Sequence, residues 1–297
     1  MRRLLLMLGT VSALGLAVVV TSAAPGAARP ASALPAHIGL PMIRDAGAGI
    51  ANEPYPVVSL NWSGYAVTPT SKSAKFTYAY TTFVQPAIKC TGAPDLGTSD
   101  WVGLDGFDNQ TVEQDGTLAY CAGKGNLTPV YYAWYEMFPA PTIKAFTVRP
   151  GDTITGAVSY ASGKFTLTVA DTTRGITTIK TATCSTCQRT SAEWINERFA
   201  ECSNSSCTKA FLVALADFHK ATLSDDVASE NGGKAMGINA FPFGDSFPID
   251  MVYNLNGTES VGSKGYVSLD NTGPVATKSQ SFTIDWQRSG KITPITL

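Results

Sequence analysis

Four stretches of this chain set carboxylates or amides among bulky aromatics. They are Asn61-Trp-Ser-Gly-Tyr-Ala66, Asp100-Trp-Val-Gly-Leu-Asp-Gly106 with Val112-Glu-Gln-Asp-Gly116, Trp134-Tyr-Glu-Met-Phe-Pro139, and Ser191-Ala-Glu-Trp-Ile-Asn-Glu197. Such groups can move protons and donate hydrogen bonds to a developing negative charge. A single tryptophan beside an acid says little, since Asp285-Trp286 has the same look with no motif around it, and any one Trp reads equally well as core. The wording of all four stretches together carries the case, with Glu193 its centre.

Competing chemistries drop out by residue type. After the leader the chain has a single histidine, His219, and no Gly-x-Ser-x-Gly, so a serine or cysteine triad lacks its parts. His-Glu-x-x-His is absent and a catalytic zinc needs more histidines than this, so no metal or other cofactor is expected. No Gly-rich phosphate loop opens a helix. Carboxylate and amide chemistry is what remains.

Met1-Arg-Arg3, the apolar run Leu4 to Val20 and the small residues through Ala24 read as a secretory signal peptide, 1–24, and hence as a secreted, extracellular protein with no membrane span after its removal. Residues 25–56 are rich in Ala, Pro and Gly and read as a pro-segment or flexible linker whose Arg29, His37 and Arg44 could lie over an acidic cleft. Residues 57–297 suffice for one large domain. From residue 57 onward 18 bases stand against 21 acids, which gives no basic face for nucleic acid. Charged residues make up 15% of the chain, so its surface leans little on ion pairs that fail in acid.

Period-two patterning runs nearly throughout. In Lys164-Phe-Thr-Leu-Thr-Val-Ala170 the apolar residues alternate with threonines, and Ser162-Gly163 and Arg174-Gly175 punctuate strands on either side. A dozen or so such strands predict an all-β fold, an antiparallel β-sandwich or barrel. Only Asp217 to Glu230 has any claim to helix. The six cysteines of an exported chain predict disulfides, with Cys90 to Cys121 favoured by proximity and some pairing within Cys184, Cys187, Cys202 and Cys207.

Taken in order, Trp-Val-Gly-Leu-Asp-Gly, Gln-Asp-Gly, Trp-Tyr-Glu-x-x-Pro and Ala-Glu-Trp-Ile resemble the motifs of the glutamic peptidases, or eqolisins, a family of secreted acid proteases. The resemblance covers nearly all of 57–297. It implies a concanavalin A-like, glucanase-like sandwich with the site on the concave face of one sheet, and a glutamate and glutamine pair matched here by Glu193 and Gln114. It further implies that Trp62, Trp101, Asp105, Trp134 and Glu136 line or support the groove. Glu193 would then activate water and Gln114 would donate to the oxyanion, on a protein or peptide substrate, in a monomer. The readings set against this are a lectin-like module stacking sugars on its aromatics and a glycosidase using Glu136 with Glu193. Hydrolysis of a denatured protein at acid pH, unaffected by chelators or pepstatin, is the expected result; inhibition by either would move the chemistry to a metal or an aspartate pair.

Overall fold

Alternation along each strand buries every second side chain, and the chain turns wherever a left-handed residue allows it. Lys164–Asp171 buries Phe165, Leu167 and Val169 and leaves Thr166 and Thr168 half-covered. It joins Thr153–Ala161 through Ser162 and Gly163, both at positive φ (50° and 80°), which is the two-residue turn that suits a twisted hairpin. The computed structural model describes residues 37–43, 57–93, 95–203, 209–241, 245–254 and 266–295. Residues 1–24, read above as a signal peptide, and most of the 25–56 stretch, including Arg29 and Arg44, lie outside the described residues.

Two largely antiparallel sheets carry the architecture, as the patterning predicts. One runs Tyr266–Ser268, Ser246–Asn254, Trp62–Val67, Ala192–Glu197, Leu96–Leu104, Val112–Ala122, Thr128–Phe138, Ile143–Thr147. The other runs Ile176–Ala182, Lys164–Asp171, Thr153–Ala161, Phe76–Val84, Lys220–Glu230, Phe282–Trp286, Asp270–Thr272. Between them lies a core that includes Val102, Leu104, Trp194, Phe76, Phe165 and Phe282. A small third sheet pairs His37–Ile38 with Ala200–Cys202, so the described part of the 25–56 stretch is packed on the domain. Among the described residues no helix is long and apolar enough to cross a membrane.

The one segment with a claim to helix is strand: Lys220–Glu230 pairs with Phe76–Val84. Its periodicity is broken by a bulge between Ser224 and Val227, where Asp225 takes positive φ (56°), and the extra residue shifts the alternation out of phase. The Cys90–Cys121 disulfide is present as expected. Within the second group Cys184 bonds Cys187, and Cys202 is also disulfide-bonded.

Several carboxyls are buried in or beside the two sheets. Asp115 bridges them, accepting from the Thr168 and Ala157 amides at 2.9 and 3.2 Å. Asp226 accepts from Thr81 Oγ1 at 2.7 Å and leaves its other oxygen without a hydrogen bond. Burial raises both well above the usual aspartate range, and raises Asp100 to about 6 and Asp270 to about 8. A carboxyl raised on folding contributes its stability at low pH and loses it as pH climbs through the folded value. Thermal stability is therefore expected to be highest near pH 4 and to fall between about pH 4 and pH 8. Asp226→Asn should flatten that profile, raising Tm at pH 8 by at least about 3 °C, the shift that ~1 kcal/mol gives a domain of this size. A scanning calorimetry series across this range, with stability instead rising toward pH 8, would contradict the assignment.

Candidate active site

Strand register sets Glu193, Gly103, Gln114 and Glu136 directly opposite one another across four adjacent strands. Residues opposite in a ladder face one side of the sheet. That side is the one carrying Trp62, Trp101, Trp134 and Ile195, which cluster apart from the core between the sheets. The neighbouring row is Trp101, Gly116 and Trp134. Any Cβ on Gly116 would stand 2.2 Å from the Asp100 carbonyl and 2.6 Å from Trp101 Cβ, so Gln-Asp-Gly needs its glycine to let Trp101 settle. Trp62 packs edge-on against Trp101 at 4.9 Å, and Trp134 Nε1 donates to Ser99 Oγ at 3.2 Å.

Gln114 is held by Glu136. Its Nε2 donates to Glu136 Oε2 at 2.6 Å, while Glu136 Oε1 accepts from Thr142 Oγ1 at 2.9 Å. Burial raises the Glu136 carboxyl well above the usual range, and the nearby Glu197 raises it further. That second influence is informative, because Glu197 lies four residues beyond Glu193 on the same strand and the same face. Trp101 Nε1 donates to Glu197 Oε2 at 2.8 Å, and Asn61 Nδ2 to Glu197 Oε1 at 3.3 Å. Burial still lifts Glu197 to about 8, against these donors.

Between Gln114 and Glu197 runs the backbone of residues 39 and 40. The Leu40 amide donates to Glu197 Oε1 at 3.0 Å, and a Cβ on Gly39 would lie 2.3 Å from Gln114 Nε2 and 2.7 Å from Glu136 Oε2. Covalent geometry then bounds the Gln114 Nε2 to Glu197 Oε1 separation at about 8 Å.

Glu193 has different surroundings. Both its oxygens are buried without a hydrogen-bond partner among the described residues. Burial raises it well above the usual range, Ser191 offsets part of this, and Asp105, Asp108 and Glu113 raise it further. Asp105, at φ 69°, is engaged elsewhere: it accepts from the amides of Gln188, Arg189 and Thr190 at 2.7 to 2.8 Å and from Asn109 Nδ2 at 2.7 Å. It anchors the turn that enters the Glu193 strand. Glu113, Cys184 and Cys187 have metal-ligand spacing, but both sulfurs are tied in a disulfide and offer no thiolate. In the sequence, the period-two alternation through Ala192-Glu-Trp-Ile-Asn-Glu197 is what sets Glu197 on the face of Glu193.

An outer sheet face with an amide, paired carboxyls and a wall of tryptophans defines a hydrolase cleft of the glutamic peptidase kind. The fold is that of scytalido-glutamic peptidase, solved with a peptide-based transition state analogue: TM-score 0.60, 21% identity, 76% of this chain and 98% of that one. SCP-B, an eqolisin-family peptidase solved with the tripeptide Ala-Ile-His, superposes with TM-score 0.58 at 21% identity, covering 76% and 98%. No curated protein sequence matches the chain. Residues 60–256 match the peptidase A4 family, and the chain belongs to that family. It is a glutamic peptidase, and the lectin and glycosidase readings give way to that.

Trp101→Phe keeps an aromatic ring beside Gly103 and removes the donor to Glu197. Losing a hydrogen bond to a charged group costs about 1.5–3 kcal/mol, so kcat/KM should fall roughly tenfold or more and the acid limb of the pH profile should move upward. An unchanged acid limb would show that this indole does not set Glu197.

Proposed function

We propose that this chain is a secreted acid endopeptidase whose working pair is Gln114 and Glu197, rather than Gln114 and Glu193 as the motif match implies. What carries this reading is the peptide backbone of Gly39 and Leu40 passing between the Gln114 amide and the Glu197 carboxylate. A substrate backbone in that place would lie beside both groups.

Glu197 takes a proton from water, the water oxygen attacks the scissile carbonyl, and Gln114 donates one Nε2 hydrogen to the oxyanion. The other hydrogen is spent on Glu136, which fixes the amide's orientation. Gln114 has no titration in the working range, so its donation does not depend on pH. Glu197 then returns the proton to the leaving nitrogen.

A base must be ionised, and the value of about 8 belongs to a Glu197 covered by Leu40. Replacing that backbone by water removes the Leu40 amide, which lowers the value, but supplies water as donor and relieves desolvation, the largest upward influence, while Trp101 and Asn61 go on stabilising the charged form. Glu193 keeps its negative neighbours, with Ser191 alone to offset them. The acidic setting is supported by the low charge content and by buried carboxyls that favour low pH; secretion is supported by the composition of residues 1–24.

Glu197→Gln should abolish hydrolysis of a denatured protein at acid pH with the fold intact, while Glu193→Gln retains at least half of wild-type turnover. Gln114→Ala should lower kcat by about a hundredfold or more. The opposite ranking of the two glutamates would return the base to Glu193.

A further inference from the structure

Glu113 precedes Gln114 in the chain but faces the other side of the sheet, and hydrolysis gives it no part. Its partners across the ladder are Leu104 and Met137, so a carboxyl stands where the alternation calls for an apolar side chain. Both its oxygens are shielded from solvent. Burial above all, with Asp105 adding to it and Thr111 and Arg189 offsetting part, raises the carboxyl to about 10. Glu113 therefore keeps its proton through neutral pH. Beside it lies the Cys184–Cys187 disulfide: one Glu113 oxygen and the two sulfurs fall within 4.8 Å of one another.

The two sulfurs have different surroundings. Cys184 Sγ accepts from the Cys187 amide at 3.0 Å, and the Thr186 hydroxyl lies 3.5 Å from it, donors that suit a thiolate on Cys184. Cys187 adjoins the turn whose amides, from Gln188 to Thr190, are fixed on Asp105. As a staple the bond adds little, because it spans three positions against 31 for Cys90–Cys121, and the shortest loop removes the least chain entropy. Both cysteines are half-buried, and Ser185 and Thr186 between them are exposed, so a small thiol has access to the pair.

We infer that Cys184-Ser-Thr-Cys187, with Glu113 as its proton donor, is a thiol–disulfide exchange site that oxidises a small dithiol independently of peptide hydrolysis. One thiolate of the dithiol attacks Cys184 Sγ, a new S–S bond forms there, and the bond to Cys187 breaks. Cys187 leaves with the electron pair and takes the Glu113 proton, becoming a thiol. The second thiolate then attacks the dithiol's own sulfur in the mixed disulfide and releases Cys184 as a thiolate beneath the Cys187 amide. The dithiol gives up two electrons and ends as a cyclic disulfide. The protein gains them as one thiol and one thiolate, and Glu113 recovers its proton from water. A monothiol would stop at the mixed disulfide, which is why the substrate class is a dithiol.

The test treats the folded, full chain with dithiothreitol at neutral pH, quenches by alkylation and reads each cysteine by peptide mass. The Cys184–Cys187 bond should open at least about tenfold faster than Cys90–Cys121. In the opened chain a limiting dose of iodoacetamide should label Cys184 at least about tenfold ahead of Cys187. Glu113→Gln should slow the opening by at least about tenfold and leave the Cys90–Cys121 rate unchanged. A fold merely loosened by that substitution would speed both. Equal labelling of the two cysteines, opening no faster than at Cys90–Cys121, or a Glu113→Gln chain that opens as fast as wild type, overturns the inference. Should Glu113→Gln fail to fold, the labelling ratio in the wild-type chain still decides, since an ordinary exposed loop would label both cysteines alike.

Discussion

The contact on which the site depends is Trp101 settled over Gly116. It needs a glycine on the neighbouring strand, because a Cβ there would overlap the Asp100 carbonyl and the Cα and Cβ of Trp101, and the indole lies over a second glycine, Gly103. Once seated, the indole points its N–H at Glu197 and packs edge-on against Trp62. The same ladder that pairs Trp101 with Gly116 pairs Gly103 with Gln114, and so a single register decides both the wall of the groove and the position of the amide. A slip by one residue would turn the whole set into the core.

Burial without countercharge recurs through the domain. Asp115 and Asp226 between the sheets, and Glu136, Glu193 and Glu197 on the outer face, are all pushed upward first by desolvation. Neutral carboxyls hydrogen-bond well inside a protein and cost little to bury, whereas ionised ones unfold it. An interior built this way holds its acids neutral, and so is most stable, at low pH. Of the two glutamates on the Ala192–Glu197 strand, Glu197 has several donors that favour its charged form, whereas Glu193 has like charges offset in part by Ser191.

Much of this was legible beforehand, and for identifiable reasons. Alternation of Phe165, Leu167 and Val169 with threonines forces strand, and Ser162-Gly163 forces the hairpin. The aromatic and acid wording of the motifs marked Trp62, Trp101, Trp134, Gln114 and Glu136, all of which the structure gathers on one face. Lys220–Glu230 was illegible because a bulge interrupts its period. Asp105 looked like a partner of the site from its motif, and is instead consumed by the amides of residues 188–190.

The sequence by itself determined the strand class and the residue types of a carboxylate and amide site, since those follow from composition and short-range period. Tertiary structure alone decided which glutamate of Ala-Glu-Trp-Ile-Asn-Glu197 meets the Leu40 amide and the Trp101 indole, because two residues four apart on one strand face share their periodicity and differ only in what lies across from them. It also decided that a Gly-Leu-Pro run read as part of a leader lies between Gln114 and Glu197. Segments more than 70 residues apart in the chain meet there through strand pairing and a close backbone approach, and neither leaves a mark in local sequence.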